Sequence, residues 1–94
     1  MIKILGHDLW RGGQKAGWID GDHIRAHDNK RLGYFYGNHV IGEDGKKLAY
    51  VEGDYLYSYA STGEKISLEK VNETIVGGVV PEMCKCAIYV LLGN

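Results

Sequence analysis

Proline, cysteine and long apolar runs are all scarce in this chain, and each shortage narrows what it can be. One proline in 94 residues, against fourteen glycines, excludes a polyproline or collagen-like rod and leaves the turns to glycine. The two cysteines, Cys84 and Cys86, have only Lys85 between them and cannot supply a disulfide framework. The longest apolar stretch, Cys86 to Leu92, is far below the ~20 residues a membrane-spanning helix needs. The opening MIKILGHDLW breaks at Gly6 before a signal-peptide core can form, so the expected location is cytoplasmic. Excess charge of one sign is also missing. The formal net charge is −1, and without a basic footprint nucleic acid is not an expected partner.

What the chain does have is a repeat. A sixteen-residue unit runs as GWIDGDHIRAHDNKRL (residues 17–32), GYFYGNHVIGEDGKKL (33–48) and AYVEGDYLYSYASTGEKI from Ala49. In register, Gly17, Gly33 and Ala49 coincide, as do Trp18, Tyr34 and Tyr50, and Gly21, Gly37 and Gly53. Asp22, Asn38 and Asp54 follow those last glycines. Gly-Asp and Gly-Asn pairs suit two-residue hairpin turns, because glycine takes φ > 0 freely and Asp and Asn tolerate the left-handed region. Half a period later come Asp28-Asn29, Asp44-Gly45 and Ser61-Thr62-Gly63, a second turn per unit. The opening segment reads as a degenerate unit, with Gly6 fifteen residues before Gly21 and Leu9 in place of Ile24.

These features predict one domain over residues 1–94, of class α+β, with about four repeated β-hairpins over 1–66 and a helical segment over 67–94. Alternation puts Leu32, Tyr34 and Tyr36 on one strand face and Gly33 and Phe35 on the other, so both faces carry apolar bulk. Such a meander is expected as a shallow ring or curled sheet with something packed inside, its aromatics supplying much of the core. Beyond Ser67 the period changes. Leu68, Val71, Ile75 and Val76 follow helical spacing, with Ser67 placed to cap the helix and Glu69 near its positive end. Gly77-Gly78 stops that segment and Pro81-Glu82 starts another, striped by Met83, Cys84, Ala87, Ile88 and Leu91. An edge strand over residues 86–92 is the alternative to this helix. An apolar helix on so small a ring predicts a homo-oligomer. No basic cluster flanks it for membrane-surface binding.

The GHDLWRGGQKAGWI start, the G-[DN]-[HY]-[IVL] turns and the [GA]-[WY]-[IFV] strands resemble bacterial families described as the four-fold beta-flower, over residues 5 to about 60. The resemblance implies a shallow ring of hairpins with pseudo-fourfold symmetry. It carries no catalytic motif across.

Candidate chemistry sits where the repeat breaks. His7, Asp8, Trp10 and Arg11 cluster before Gly12-Gly13, where Arg11 can grip a carboxylate or phosphate as a fork and Trp10 can stack. The plainer alternative is a turn at Gly12-Gly13 and a solvated Arg11. No metal site is expected. His23 and His39 share one repeat position that Tyr55 fills in the third unit, and neither CxxC nor HExxH occurs. The cysteines read as small buried residues. Tyr55, Tyr57 and Tyr59 share one side of a strand and form the candidate contact stripe. The expected function is a small non-enzymatic binding or oligomeric assembly module without catalytic residues or cofactor. It would contact a protein or small molecule. The alternative is a small-molecule or metal-binding protein, or an enzyme, with its site around His7, Asp8 and Arg11.

Overall fold

The computed structural model describes residues 1–60 and 64–93. Four hairpins come first: β1 (Ile2–Leu5) with β2 (Asp8–Arg11), β3 (Gln14–Asp20) with β4 (His23–Ala26), β5 (Arg31–Tyr36) with β6 (His39–Gly42), and β7 (Lys47–Glu52) with β8 (Tyr55–Ser58). Then follow β9 (Lys65–Ser67), α1 (Leu68–Thr74), β10 (Ile75–Gly77), α2 (Glu82–Ile88) and a π-helical turn at Tyr89–Gly93. The strands form one open sheet in the order β10-β1-β2-β3-β4-β5-β6-β7-β8-β9. Among the described residues only the β10–β1 pair is parallel.

The sequence period reappears in the backbone. Gly6, Gly21, Gly37 and Gly53 open the four hairpin turns with φ of 59–64°. The residue after each glycine keeps an ordinary negative φ, so these turns are of the II′ kind and Asp and Asn need no left-handed conformation there. The carbonyls of those following residues are captured by the next unit. His7 accepts from the Ile19 N–H at 2.8 Å, Asp22 from Phe35 at 3.0 Å, Asn38 from Val51 at 2.8 Å and Asp54 from Leu68 at 2.9 Å. The degenerate first unit is therefore a full structural member. At the half-period turns, Asp28 and Asp44 accept from the Lys30 and Lys46 N–H groups at 3.1 and 3.0 Å, while Gly12-Gly13 makes that turn in the first unit. The corresponding Ser61-Thr62-Gly63 signal lies outside the described residues. A register shift recurs at Leu9/Trp10, Ile24/Arg25 and Val40/Ile41, as a bulge that bends each unit against the next.

The two sheet edges, β9 and β10, are joined by α1 alone, seven residues long. A helix of that length spans about 10 Å. Ten strands laid flat would measure about 43 Å across, more than the 34 Å longest dimension of the molecule. The sheet is therefore curled, with α1 bridging its open side. Ser67 caps that bridge as expected, its Oγ accepting from the Lys70 N–H at 3.1 Å.

Inside the curl lies a single apolar cluster. Ile2, Ile4, Leu9, Ile19, Ile24, Val40, Ala49 and Leu56 from the sheet meet Leu68 and Val71 of α1, Ile75 of β10, and Cys84, Cys86, Ala87 and Ile88 of α2. Across neighbouring units, large residues stand opposite small ones: Leu9 opposite Gly17, Ile24 opposite Gly33 and Val40 opposite Ala49. That alternation leaves room for α2, which packs on β5 and β6. The hairpin half and the helical half thus share one core.

Three expectations change. Helix α1 stops at Thr74, and Ile75-Val76 continue as β10, because these β-branched residues pair with the otherwise open edge of β1. Ile75 is still fully buried, so the apolar position was read correctly and its conformation was not. The core is aliphatic: no tyrosine or tryptophan among the described residues is fully buried. With α2 filling the space inside the curl, the phenol and indole rings of the strands lie on the outer face, where their polar groups stay solvated, while Phe35 and Tyr89 pack at the margin of the core. Finally, α2 is covered by its own chain, so it gives no argument for an oligomer.

Candidate functional site

The outer face carries what the core leaves out. Its residues follow from the register. The first position of each second strand, Asp8, His23, His39 and Tyr55, stands opposite Trp18, Tyr34, Tyr50 and Ser67 respectively. Within the hairpins Trp18 faces Arg25 and Tyr50 faces Tyr57. The result is two groups of rings on one face, a His23–Tyr34 pair and a group built on His39, Tyr50 and Tyr57, with Ile41 opposite Tyr34 between them. His23 and Tyr34 have centroids 5.1 Å apart, His39 and Tyr50 6.2 Å, and Tyr50 and Tyr57 stack at 5.1 Å and 15°.

Tyr55, Tyr57 and Tyr59 fall on this face as the sequence suggested, with the first and last exposed to 37% and 50%. The structure gathers them around Tyr50: Tyr59 lies 5.0 Å from Tyr50, and Tyr57 lies 6.4 Å from Tyr55. The Tyr59 hydroxyl meets His39 Nε2 at 3.1 Å over nearly parallel rings. The Lys65 ammonium sits 4.2 Å above the Tyr55 ring, a cation–π contact. His39 and Tyr50, central here, were missing from the candidate site. Their equivalence to Tyr55 and Trp18 in the repeat is the signal that locates them.

Farther along, Trp18, Arg25, Asp20 and Asn29 interlock. Arg25 pairs with Asp20 at 2.9 Å and lies over the Trp18 ring at 5.4 Å, while the Trp18 indole N–H donates to Asn29 Oδ1 at 2.8 Å. These contacts hold the Trp18 and Arg25 side chains against the sheet.

The four residues at the broken repeat do not converge. His7 occupies a hairpin turn, and Asp8 pairs with Lys15 at 3.0 Å with both side chains well exposed. Trp10 lines a shallow apolar depression with Met1, Lys3 and Leu5. Arg11 lines a different cleft with Gln14, Lys15, His27 and Leu92, and its Nη2 donates to the Leu92 carbonyl at 2.6 Å. Arg11 thus ties β2 to the π-helical turn. Arg11→Ala is expected to speed hydrogen exchange at residues 89–93 about tenfold, the equivalent of one charge-assisted bond, while amides in β3–β6 keep their protection. Unchanged exchange at 89–93 would show that the bond holds nothing.

Among the described residues no group of three or more His, Cys, Asp or Glu side chains is placed to hold a metal. Cys84 and Cys86 face inward. Burial pushes the Cys84 thiol up to about 11 and, with the nearby Glu82 carboxylate adding to it, the Cys86 thiol up to about 12. Both stay protonated at neutral pH and are poor nucleophiles. The folded pKa values lie above the unfolded value, so the neutral thiols contribute stability that is complete below about pH 9 and is lost as pH rises toward 11–12. The Cys84→Ala, Cys86→Ala double variant should flatten this alkaline loss in a melting-temperature series. A series parallel to that of the parent protein would contradict it.

No protein-family model, curated protein or solved structure matches the chain. No helix among the described residues is long and apolar enough to cross a membrane.

Proposed function

We propose that the chain is a small non-enzymatic binding or assembly module whose outer aromatic face is its contact surface. The observation that carries this reading is the cluster of rings in which His39, Tyr50, Tyr57, Tyr55 and Tyr59 meet, with His23 and Tyr34 as a separate pair on the same face. Rings of this kind combine large contact area with few rotatable bonds and a polar tip, the composition favoured at recognition surfaces. Four hairpins with equivalent turn-carbonyl bonds support a ring of pseudo-fourfold character as the scaffold, in keeping with the beta-flower resemblance. Such a scaffold is rigid where the rings are mounted. The separation of Arg11 from Trp10 in different clefts speaks against one catalytic centre at the broken repeat. Association of copies, in a cytoplasmic setting, belongs to this reading as one use of the same face.

Photo-reactive side chains test it. Placed at Tyr59, on the aromatic face, such a probe should give covalent adducts in cells several-fold above those from Glu43, an exposed residue at a half-period turn. Adducts that join two copies and adducts that join the chain to another molecule are distinguished by native mass spectrometry. Equal yields at the two positions would refute the reading.

A further inference from the structure

We infer that the inside of the curl holds a binding site for a small free amine with an aliphatic chain. The site is separate from the outer aromatic face and does not depend on it. Helix α2 fills the curl off-centre. It packs chiefly on β5 and β6, and the π-helical turn chiefly on β5. Leu91, which closes over Gly33, and the Arg11 bond to the Leu92 carbonyl draw the turn away from β7–β9. On that side a cleft of about 420 Å³ remains between turn and sheet, a volume within the range of small-molecule sites. Leu48, Ala49, Leu56, Ile66 and Val90 line it, and Ala49 and Leu56, which are buried, form its floor.

The polar groups stand at the rim. Ser58 and Glu64 line the same cleft and are exposed. Ser58 stands opposite Ala49, at the position that Ala26 and Gly42 hold opposite Gly17 and Gly33 in the two units before it. A hydroxyl thus appears only in the unit that borders the cleft. Its Oγ accepts from the Ala60 N–H at 3.2 Å, which leaves its O–H proton to donate. Glu64 shares the inward side with Ile66, whose partner across the strands is Leu56. Lys65, between them, turns to the opposite face, with its ammonium 4.2 Å above the Tyr55 ring. No ion pair to Glu64 occurs among the described residues.

Charge and layout together choose the occupant. A carboxylate at the rim favours a cationic head and disfavours an anionic one. The aliphatic floor takes the chain, so the ligand enters tail first and leaves its ammonium at Glu64. A lysine side chain of a partner protein would arrive head first and carry its charge onto that floor, where desolvation opposes it. The ligand is therefore a free alkylammonium.

The test titrates the full-length chain, labelled with nitrogen-15, with n-octylammonium. Saturating shifts at the amides of Ala49, Leu56, Ile66 and Val90, with a dissociation constant of about a millimolar, are expected. Octanoate, of the same chain length, should bind at least about fivefold more weakly, and Glu64→Gln should remove most of that difference. Ser58→Leu sends a side chain into the cleft from an exposed position and should weaken octylammonium about tenfold with the remaining spectrum unchanged. Tyr59→Ala, on the outer face, should leave the affinity as it is. Nα-acetyl-lysine methylamide should give no shifts at the cleft residues. The inference is overturned if octylammonium gives no shifts at several millimolar, if octanoate or the lysine derivative binds as tightly, or if a folded Ser58→Leu keeps full affinity. Loss of binding in Tyr59→Ala would put the amine on the tyrosines and overturn it too. Should Ser58→Leu not fold, Glu64→Gln decides, because an undiminished preference for the cation in that variant also overturns the inference.

Discussion

Gly33→Val is expected to lower the melting temperature by about 15 °C or more, the equivalent of about 3 kcal/mol in a chain of this size. Gly33 sits mid-strand in β5, opposite Ile24 on one side and Gly42 on the other. A Cβ there overlaps the Ile41 carbonyl oxygen and stands 2.9 Å from Leu91 Cδ2. Valine adds two methyl groups to that collision. Part of the clash is with backbone, which cannot turn aside, and part with a leucine, which can. Adding Leu91→Ala should therefore recover only a fraction of the loss. Gly37→Ala supplies the control. Nothing lies within 4 Å of a Cβ at Gly37, and only its φ of +59° is unfavourable, at a cost of about 1–2 kcal/mol. If thermal melts place the two variants together, the close packing of β5 against the C-terminal segment is wrong.

Ile88→Ala should cost about 2–5 kcal/mol and shift the denaturant midpoint accordingly. Ile88 is 0% exposed at the end of α2, in the cluster that joins the helix to the sheet. Alanine is the better helix former, so any loss reports packing rather than helicity. A domain's whole net stability is about 5–15 kcal/mol; this one side chain thus carries a large share of what keeps the curl filled. Lys85→Ala, on the same helix and outside the buried set, should change little. A loss below about 1 kcal/mol for Ile88→Ala would mean that α2 does not fill the curl.

Legibility in the sequence followed the range of the interaction. The hairpin turns were readable from Gly21-Asp22, Gly37-Asn38 and Gly53-Asp54 because a tight turn is decided within four residues. Ser67 was readable as a cap for the same reason. The first unit was recoverable despite its divergence, since Gly6 and Leu9 keep the two positions a unit needs, the turn and the inward residue. The tyrosine stripe was half legible: alternation placed Tyr55, Tyr57 and Tyr59 on one side, but nothing local shows that Tyr50 and His39 complete the cluster from neighbouring strands. Ile75-Val76 misled because helix and strand place an apolar residue inward equally well at that point, and only the open edge of β1, seventy residues earlier, decides between them.

The amino-acid sequence by itself determined the sixteen-residue period, the turns, the alternation of side chains between the two faces and the division into hairpins and helices. All of these depend on backbone preferences and side-chain alternation over a few residues. Tertiary structure decided which face of the meander is inside. Aliphatic and aromatic residues alternate on its strands, so either face could have been buried. Helix α2, brought back by a seven-residue bridge between the sheet edges, fills the space with Cys84, Cys86, Ala87 and Ile88 and leaves rings only at its margin, where Phe35 and Tyr89 pack. That choice sends the strand tyrosines outward, sets Arg11 on the Leu92 carbonyl, and creates the aromatic face on which the proposed function rests.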